Sequence, residues 1–274
     1  MSTTALPKRL RGERKSYDRE QYQRTDQKDT ETEKKCQKPQ KRRSLYRRRR
    51  AACRRCTGLS VEKVYLSENV KEEYFDRLSH KLKEADVEYV SSKVFQEISD
   101  TESPQGVLAV VQMPGYDRST IVEKEDAAVI CLEDIQDPGN LGTIFRTAEG
   151  AGMSAVIMSA GCVDLFNPKV VRATMGAIFR LPFFITENMT KEVEQLKQEH
   201  FSVYAASLEG ARLYTEETYE GKCAVIIGNE ANGIKQETQQ AATHKIKIPM
   251  EGQLESLNAA VSAALFMYEI HRNR

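Results

Sequence analysis

Three segments in the second half of the chain hold polar residues at positions where ligand chemistry could occur. They are residues 137–146, 227–233 and 248–258. Each follows an apolar run that predicts a β-strand, and the first and third open a helical pattern. In α/β proteins, ligands bind at the carboxyl ends of parallel strands, where polar and glycine-rich loops gather. We therefore expect the three segments to meet in one site.

The first segment contains Asn140 and Arg146. Asn140 follows Asp-Pro-Gly, so it suits a turn or a helix N-cap, which would be a purely structural role. Arg146 falls about 1.7 helical turns later, between Phe145 and Thr147. Two interpretations stay open for Arg146: a solvated surface charge, or a guanidinium aimed at a phosphate or carboxylate.

The second and third segments offer a glycine loop and two further polar side chains. Gly228 and Gly233 permit positive φ and a close approach of a ligand to the backbone. Between them, Glu230 is predicted to be solvated unless the third segment lies nearby. Ser256 suits the N-cap of the last helix. Asn258 has poor helix propensity, which suggests a tertiary partner.

Other kinds of site are not encoded. The second segment lacks both the Walker A pattern and the GxGxxG fingerprint of dinucleotide binding. The chain has no GxSxG elbow, and its four histidines show neither HExxH nor paired spacing. Cys53 and Cys56 form a lone CxxC without a second pair, so we expect no metal site. Cys131 and Cys223 lie in apolar runs and are predicted to be core residues.

The net charge of +1 conceals a strong asymmetry along the chain. Residues 1–56 hold 20 Lys and Arg against 7 Asp and Glu, whereas the remaining residues hold 21 against 33. A basic arm favours nucleic acid as a partner, and a solvated disordered tail is the alternative. The segment shows no apolar periodicity, so we expect it to be disordered without RNA.

Hydropathy and cysteine usage indicate the cellular compartment of the protein. No run of about 18 apolar residues occurs, which predicts no membrane span. The N-terminus shows no apolar leader region, and the six cysteines show no disulfide framework. These features predict a reduced, cytoplasmic protein.

Alternation of apolar runs with helical patterns predicts an α/β architecture. After the arm, we expect a small α/β piece at 57–113, a linker at 114–126 and a parallel-sheet domain at 127–274. In the small piece the predicted strands are 61–66, 87–90 and 107–112, and the predicted helices are 70–84 and 94–98. In the larger domain the predicted strands are 127–132, 155–158, 183–185, 203–206, 224–227 and 245–248. Its predicted helices are 141–151, 168–175, 190–200, 235–242 and 256–271.

Taken together, the three segments resemble the signature motifs of the SpoU (TrmH-like) class of SPOUT RNA ribose methyltransferases. The resemblance covers residues 105–271 or so, and it extends to Ser103-Pro-Gln-Gly-Val107 and to the segment from Phe166 to Ala177. It implies a C-terminal trefoil knot, a rare exception to unknotted topology. It also implies S-adenosylmethionine as cofactor, a homodimer with the site near the interface, and methyl transfer to a ribose 2′-hydroxyl of RNA.

The same resemblance assigns roles to ten residues. The polar set matched to the family's conserved and catalytic positions is Arg146, Asn140, Glu230, Ser256 and Asn258. The cofactor-binding set, acting largely through the backbone, is Gly228, Ile248, Leu257, Ile227 and Met250. Arginine is a poor base because its pKa exceeds about 12. We therefore interpret Arg146 as a clamp on the neighbouring phosphate and a stabiliser of developing alkoxide.

The upstream region departs from the family pattern. Many members carry a complete RNA-binding domain, and only its second half is recognisable, at about 59–112. Residues 1–56 are either a frame-shifted translation of the true opening or a genuine basic arm that contacts phosphates. The partial domain favours ribosomal RNA as substrate. The alternatives are a transfer RNA ribose methyltransferase, or a non-catalytic RNA-binding or ribosome-assembly protein of the same fold.

Overall fold

The computed structural model describes residues 44–47, 61–70, 86–99, 103–113, 115–208, 210–254 and 256–274. The chain divides into two units, of which the first includes residues 61–111 and the second includes residues 112–274. Within the described residues, no helix combines the length and the apolar character needed to cross a membrane.

The first unit is built on a four-stranded sheet. Its described elements are β1 (Ser44–Arg47), β2 (Val61–Ser67), β3 (Asp86–Val90), α1 (Ser92–Ile98) and β4 (Val107–Gln112). The strand order is β1-β4-β2-β3, with β2 parallel to β3 and antiparallel to β4. Apolar residues of β2, β3, α1 and β4 form its core: Tyr65, Val90, Val94, Phe95, Ile98 and Leu108.

The predicted strands of this unit are confirmed to within one residue, and the short helix begins two residues earlier than expected, at Ser92. One expectation is wrong in part. Strand β1 lies inside the arm that was expected to be unstructured, because its backbone finds a partner in β4. The rest of residues 1–56 and nearly all of the predicted helix at 70–84 lie outside the described residues.

The second unit carries a seven-stranded sheet. Its strands are β5 (Ala128–Leu132), β6 (Ala155–Ser159), β7 (Phe183–Thr186), β8 (Ser202–Ala206), β9 (Arg212–Leu213), β10 (Cys223–Ile227) and β11 (His244–Lys247). All strand pairs within it are parallel. Every residue of β5, β6 and β10 is buried, as expected for parallel strands covered on both faces. Cys131 and Cys223 belong to this buried set, which confirms them as core residues.

Helices cover the sheet and follow the predicted pattern. They are α2 (Ser119–Val122), α3 (Pro138–Gly150), α4 (Pro168–Ala173), α5 (Met189–Gln198), α6 (Gln236–Ala241) and α7 (Ala259–Arg272). Short 3₁₀ turns at Ala177–Phe179 and Tyr214–Glu216 were not predicted. Helix α2 interrupts the segment expected to be a plain linker, where Arg118 pairs with Glu192 and Glu199 of the α5 region.

Neither Asn140 nor Ser256, the two candidate N-caps of the site helices, caps its helix. Helix α3 is capped by Asp137, whose Oδ1 accepts the Asn140 N–H at 2.7 Å. With Pro138 in the first turn, where no backbone donor is needed, the helix starts three residues earlier than predicted. Helix α7 is capped by Asn258, whose Oδ1 accepts from Ala260 and Val261. Ser256 therefore lies outside the helix, and the side chain of Asn140 is left free for another role.

Strand order places the site-bearing strands side by side. The order is β7-β6-β5-β10-β8-β11-β9, so β10 returns between β5 and β8, and β11 enters between β8 and β9. Helix α7 then packs on α3, β5 and β10. The carboxyl ends of β5, β10, β8 and β11 consequently form a continuous row at one edge of the sheet.

Helices α3 and α4 approach closely at Gly142. A Cβ at this position would lie 2.3 Å from the Cβ of Ala173 and 2.9 Å from the carbonyl oxygen of Val170. We expect Gly142→Ala to destabilise the protein by ~1–3 kcal/mol, because overpacking outweighs the gain of up to ~1 kcal/mol in helix propensity. Urea denaturation measures this change. Gly150→Ala is the matched control, since its Cβ would meet only the Tyr268 hydroxyl, at 3.7 Å; equal stability of the two variants would contradict the packing argument.

Candidate functional site

The three polar segments follow three strands whose carboxyl ends share one edge of the second unit's sheet. Residues 133–140 follow β5, residues 228–234 follow β10, and residues 248–258 follow β11. Strands β5 and β10 are neighbours, whereas β8 separates β10 from β11, a span of ~10 Å at ~4.8 Å per strand. The expected convergence of the segments is therefore built into the strand order.

The side chain of Asn140 joins all three segments. The Asn140 Nδ2 donates to Glu230 Oε1 at 2.9 Å, and the Asn140 Oδ1 accepts from Asn258 Nδ2 at 3.0 Å. An amide can bridge in this way because it offers a donor and an acceptor on one planar group. Glu230 is thus exposed but not free, and Asn258 has the tertiary partner that its poor helix propensity predicted.

Glu230 is anchored as an anion by donors from the first segment. Besides Asn140, the backbone N–H of Gln136 donates to Oε2 at 3.3 Å and that of Asp137 to Oε1 at 3.4 Å. Partial burial raises the pKa of the Glu230 carboxyl, but the hydrogen bonds from Asn140 and from backbone N–H groups outweigh it and hold the pKa below its usual value of 4.5. The loop therefore presents a fixed negative charge beside Asn140.

The loop after β10 folds back tightly on itself. Asn229 and Gly233 exchange two backbone hydrogen bonds, of 3.0 and 2.9 Å, and Gly233 has φ +67°. A Cβ on residue 228 would lie 2.1 Å from the carbonyl carbon of Gly233. Gly228 is therefore required by the loop itself, in addition to any contact with a ligand.

Two acidic residues that sequence reasoning passed over tie this loop to the end of β5. The carboxylate of Glu133, only 2 % exposed, accepts from the backbone N–H of Lys235 at 2.8 Å. Asp134 pairs with Lys235 Nζ at 2.7 Å and accepts from the Ser159 hydroxyl at 2.7 Å, and these two contacts hold the pKa of the Asp134 carboxyl below its usual range. Two consecutive acids directly after a buried strand were the signal in the sequence.

Arg146 and Ser256 are not drawn into the hydrogen-bonded group. Arg146 is exposed on α3 and forms no hydrogen bond or ion pair with the residues that the structure describes. Ser256 is likewise exposed and makes no hydrogen bond to a described residue. Arg146 thus leaves its whole guanidinium available to a bound molecule.

The residues expected to bind a cofactor differ in burial. Gly228, Ile248, Met250 and Leu257 are half-buried, whereas Ile227 is buried and can offer only its backbone. No hydrogen bond joins the backbone of residues 250–254 to another described residue. Met250 at the start of this stretch is half-buried, and Leu254 at its end is 72 % exposed.

The tip of β8 belongs to the same row and was also missed. Ser207 follows β8, its N–H donates to the carbonyl of Ile246 at 3.0 Å, and its hydroxyl donates to Gln239 Oε1 at 3.1 Å. Leu208 next to it is 58 % exposed. A polar residue and a glycine follow this strand in the sequence, as they do in the three recognised segments, so the signal was present.

Helices α3 and α7 border an open groove of about 470 Å³ beside Asn140 and Asn258. The α7 side is apolar, with Val261 49 %, Leu265 36 % and Tyr268 52 % exposed. Residues spaced i, i+4 and i+7 form one helical stripe, so α7 buries one face in the core and presents a second apolar face outward. Among the described residues, no cluster of three His, Cys, Asp or Glu could hold a metal ion.

Each of the two units overlaps a match to a family model. A model described as the SpoU rRNA Methylase family matches residues 127–268, and a model described as RNA 2'-O ribose methyltransferase substrate binding matches residues 51–117. The chain is 35% identical over 181 residues to the 23S rRNA (guanosine(2553)-2'-O)-methyltransferase RlmP of Bacillus subtilis, covering 66% of this chain and 71% of that protein.

Solved structures agree on the fold. A crystal structure of an RNA 2'-O ribose methyltransferase matches with a TM-score of 0.70 at 26% identity, covering 92% of this chain and 95% of that one. An AdoMet-bound rRNA methyltransferase from Sinorhizobium meliloti matches with a TM-score of 0.76 at 24% identity, covering 91% and 93%. The α/β fold with a mostly parallel sheet is thus the fold of known SPOUT methyltransferases.

The anchored charge of Glu230 predicts a pH dependence of stability. A carboxyl whose folded-state pKa is depressed contributes stability above its unfolded pKa of 4.5, and that contribution is lost as the pH falls through the folded value. Glu230→Gln keeps an acceptor for Asn140 but cannot titrate. We expect the wild-type protein to lose more unfolding free energy than this variant between about pH 6 and about pH 3 in urea titrations. Glu220→Gln, at an exposed carboxylate without a hydrogen bond to described residues, should change nothing, and identical pH profiles for wild type and Glu230→Gln would refute the anchoring.

Proposed function

The chain belongs to the SpoU rRNA methylase family, and on that basis we propose that it transfers a methyl group from S-adenosylmethionine to a ribose 2′-hydroxyl of RNA. The observation that carries the proposal is the convergence of three distant segments on Asn140. Its amide binds Glu230 of one loop and Asn258 of another, at the edge where parallel strands present ligands. A non-catalytic RNA-binding protein would not need this constellation together with an Arg146 that has no partner among the described residues.

The surface at the strand ends, formed by Gly228, Ile248, Met250 and Leu257, suits S-adenosylmethionine. The half-buried apolar side chains suit the faces of an adenine ring. The backbone of residues 250–254, which forms no hydrogen bond with other described residues, suits the edges of that ring. Gly228, Ile248, Met250 and Leu257 would hold the cofactor, with Ile227 contributing its backbone. When bound, the cofactor supplies a methyl group already activated on a sulfonium sulfur. The protein is then left with orienting the 2′-oxygen and helping it to lose a proton, and orientation can supply about 7–11 kcal/mol.

Arg146 carries the chemistry at the hydroxyl. Its guanidinium has no partner among the described residues, and its planar fork of donors matches a phosphate or a developing alkoxide. Because arginine does not release its proton near neutral pH, Arg146 serves as clamp and electrostatic stabiliser, with the RNA phosphate as proton relay. Asn140, Glu230 and Asn258 position the loops around this point, and the exposed Ser256 is free to contact the substrate.

A second copy of the chain covers the outer face of α7. Val261, Leu265 and Tyr268 form a stripe of large exposed apolar side chains on a 14-residue helix, which is unusual for a solvated surface. The stripe borders Asn140 and Asn258 across the groove. A homodimer through this face would shield the stripe and place the site near the interface.

The strand order supports a threaded C-terminus. Strand β11 lies between β8 and β9, inside the connection that leads from β8 through β9 to β10. The chain then returns as α7 to pack on β5 and β10, where Phe266 meets the ring of Tyr214 in the 3₁₀ turn after β9. A trefoil knot through the 207–222 segment accounts for this path.

Ribosomal RNA is the proposed substrate and the cytoplasm the proposed location. Both family descriptions and the Bacillus subtilis relative name RNA ribose or rRNA methylation. The substrate-binding match at residues 51–117 overlaps the first unit, which we propose to bind the RNA together with the basic arm. Transfer RNA is the alternative substrate.

The proposal is tested by transfer of labelled methyl from S-adenosylmethionine to unmodified ribosomal and transfer RNA. The modified linkage should resist alkali, because cleavage needs the free 2′-hydroxyl as nucleophile. Label in ribosomal RNA alone supports the proposal, whereas label in transfer RNA alone selects the alternative substrate. Cofactor binding without any labelled RNA would instead favour the non-catalytic role, and calorimetric binding of a nucleotide but not of S-adenosylmethionine would reject the family chemistry.

Arg146→Ala separates chemistry from cofactor binding. We expect methyl transfer to fall by about 10²–10³ or more, the usual loss for one donor to developing charge, while the Kd for S-adenosylmethionine stays nearly unchanged. Single-turnover rates and calorimetry measure the two quantities. Arg146→Lys should recover only part of the rate, since an ammonium lacks the planar fork. Equal losses of rate and cofactor affinity would count against this role.

Leu265→Glu tests the proposed dimer. A charge placed on the α7 stripe would be buried in an apolar interface, so we expect the dimer Kd to rise about a hundredfold or more, measured by analytical ultracentrifugation. Ile185→Glu is the control, because Ile185 is 54 % exposed on the edge strand β7, away from the stripe. Dissociation by both substitutions, or by neither, would place the interface elsewhere.

A further inference from the structure

We propose that Glu133 is a positioning residue for the reaction, which holds both ends of the loop formed by residues 228–234. This inference rests on the proposed function, because that loop carries Gly228 and Glu230. Glu133 itself lies immediately after β5 and is placed too deep to touch a substrate, with 2 % of its surface exposed. Its effect on the reaction therefore passes through the loop.

Glu133 contacts the two residues that flank the loop. Its backbone N–H donates to the carbonyl of Ile227, directly before the loop, at 2.9 Å. Its carboxylate Oε2 accepts from the backbone N–H of Lys235, directly after the loop, at 2.8 Å. The other oxygen, Oε1, accepts from the Thr238 hydroxyl at 2.8 Å. One residue thus sets the distance between the two ends of the loop.

A buried carboxylate is a costly way to fill space at the end of a strand. It must be desolvated, and only hydrogen bonds from well-placed donors offset that cost. Here both carboxylate oxygens accept a hydrogen bond. One of them accepts from the backbone N–H of Lys235, the N-cap residue of α6, whose own side chain makes no capping bond. The carboxylate of Glu133, directly after β5, therefore satisfies one backbone donor at the start of α6, from 102 residues away in sequence.

Asp134 reinforces the same connection from the neighbouring position. Its carbonyl accepts from Asn229 Nδ2 at 2.8 Å, and its carboxylate pairs with Lys235 Nζ at 2.7 Å. The residue adopts φ +57°, a conformation uncommon for a side-chain-bearing residue. A Cβ on Gly161 would lie 2.1 Å from Asp134 Oδ1, so the glycine makes room for this arrangement.

The consequence falls on Glu230 and on the cofactor loop. With the loop ends fixed, Glu230 Oε1 lies within 2.9 Å of Asn140 Nδ2. Without the Glu133 carboxylate, the loop would keep its internal Asn229–Gly233 pair, its contacts with Asp134 and the hydrogen bonds to Glu230, but its anchor at the Lys235 N–H would be lost. We expect the loop to shift or open, which would disperse Gly228 and Glu230 and weaken cofactor binding before it affects the folded core.

The test compares three variants of the full chain. Glu133→Ala removes both carboxylate contacts and should raise the Kd for S-adenosylmethionine about tenfold or more. Glu133→Gln should stay within a few-fold of wild type, because its oxygen can accept from Lys235 N–H while its amide donates to the Thr238 hydroxyl. That hydroxyl can then donate to Thr190, whose oxygen is 3.0 Å away. Thr238→Val, which leaves Oε1 without its donor, should fall between them and covers the case in which Glu133→Ala fails to fold.

Glu192→Ala is the matched control for general destabilisation. Glu192 is another buried carboxylate of the same unit, 8 % exposed, which pairs with Arg118 rather than with the loop. It should lower the melting temperature but leave the Kd unchanged. If Glu192→Ala weakens cofactor binding as much as Glu133→Ala at matched loss of stability, the positioning role is wrong.

Hydrogen exchange separates this inference from the proposed function. Amides of residues 228–235 should exchange faster in Glu133→Ala than in wild type, whatever ligand the site takes, whereas those of β6 should not. Unchanged exchange in that segment would overturn the positioning role even if the protein methylates RNA. If the wild-type chain binds no S-adenosylmethionine but residues 228–235 still exchange faster in Glu133→Ala, the proposed function is overturned and the loop connection stands.

Discussion

The two hydrogen bonds of the Asn140 amide are the contact on which the site depends. One end of the amide donates to Glu230 and the other accepts from Asn258, so a single side chain on α3 fixes two loops that lie 90 and 118 residues away in sequence. Neither a carboxylate nor an ammonium could replace it, because each offers only acceptors or only donors. The cost is that each partner must be delivered to within 3.0 Å by a separate part of the fold.

Strand order makes that delivery possible. Because β10 returns beside β5, and β11 enters beyond β8, the three loops reach one edge although the chain visits the far side of the sheet between them. Strand order fixes the relative positions of the loops only to within one strand spacing, and two acidic residues fix them more closely. Glu133 and Asp134 connect the end of β5 to both ends of the loop after β10, and Gly228 allows that loop to close on itself.

Some polar residues of the site hold the loops in place, and another stays available to a ligand. The side chains of Asn140, Glu230 and Asn258 are all held by hydrogen bonds within the protein, which keeps the loops in place. Arg146 forms no such bond with described residues, so its charge remains available for a ligand, which in our proposal is an RNA phosphate and the reacting oxygen. The outer stripe of α7 and the row of strand ends adjoin the same asparagines. The proposed contacts with a second copy of the chain, with the cofactor and with RNA would thus all fall at one place in this SpoU-family protein.

Residue types and their order were enough to predict the α/β class, nearly every strand of the parallel sheet, and the three segments that meet at its edge. These features are local, because apolar runs, glycines and polar strand ends can each be recognised within a few consecutive residues. Helix starts were less predictable: Asp137 and Asn258, not Asn140 and Ser256, cap α3 and α7, because several residues near each start could serve. The roles of Glu133, Asp134 and Ser207 came only from tertiary contacts. The role of a buried carboxylate cannot be assigned until its hydrogen-bond donor is known. For Glu133 that donor lies 102 residues further along the chain.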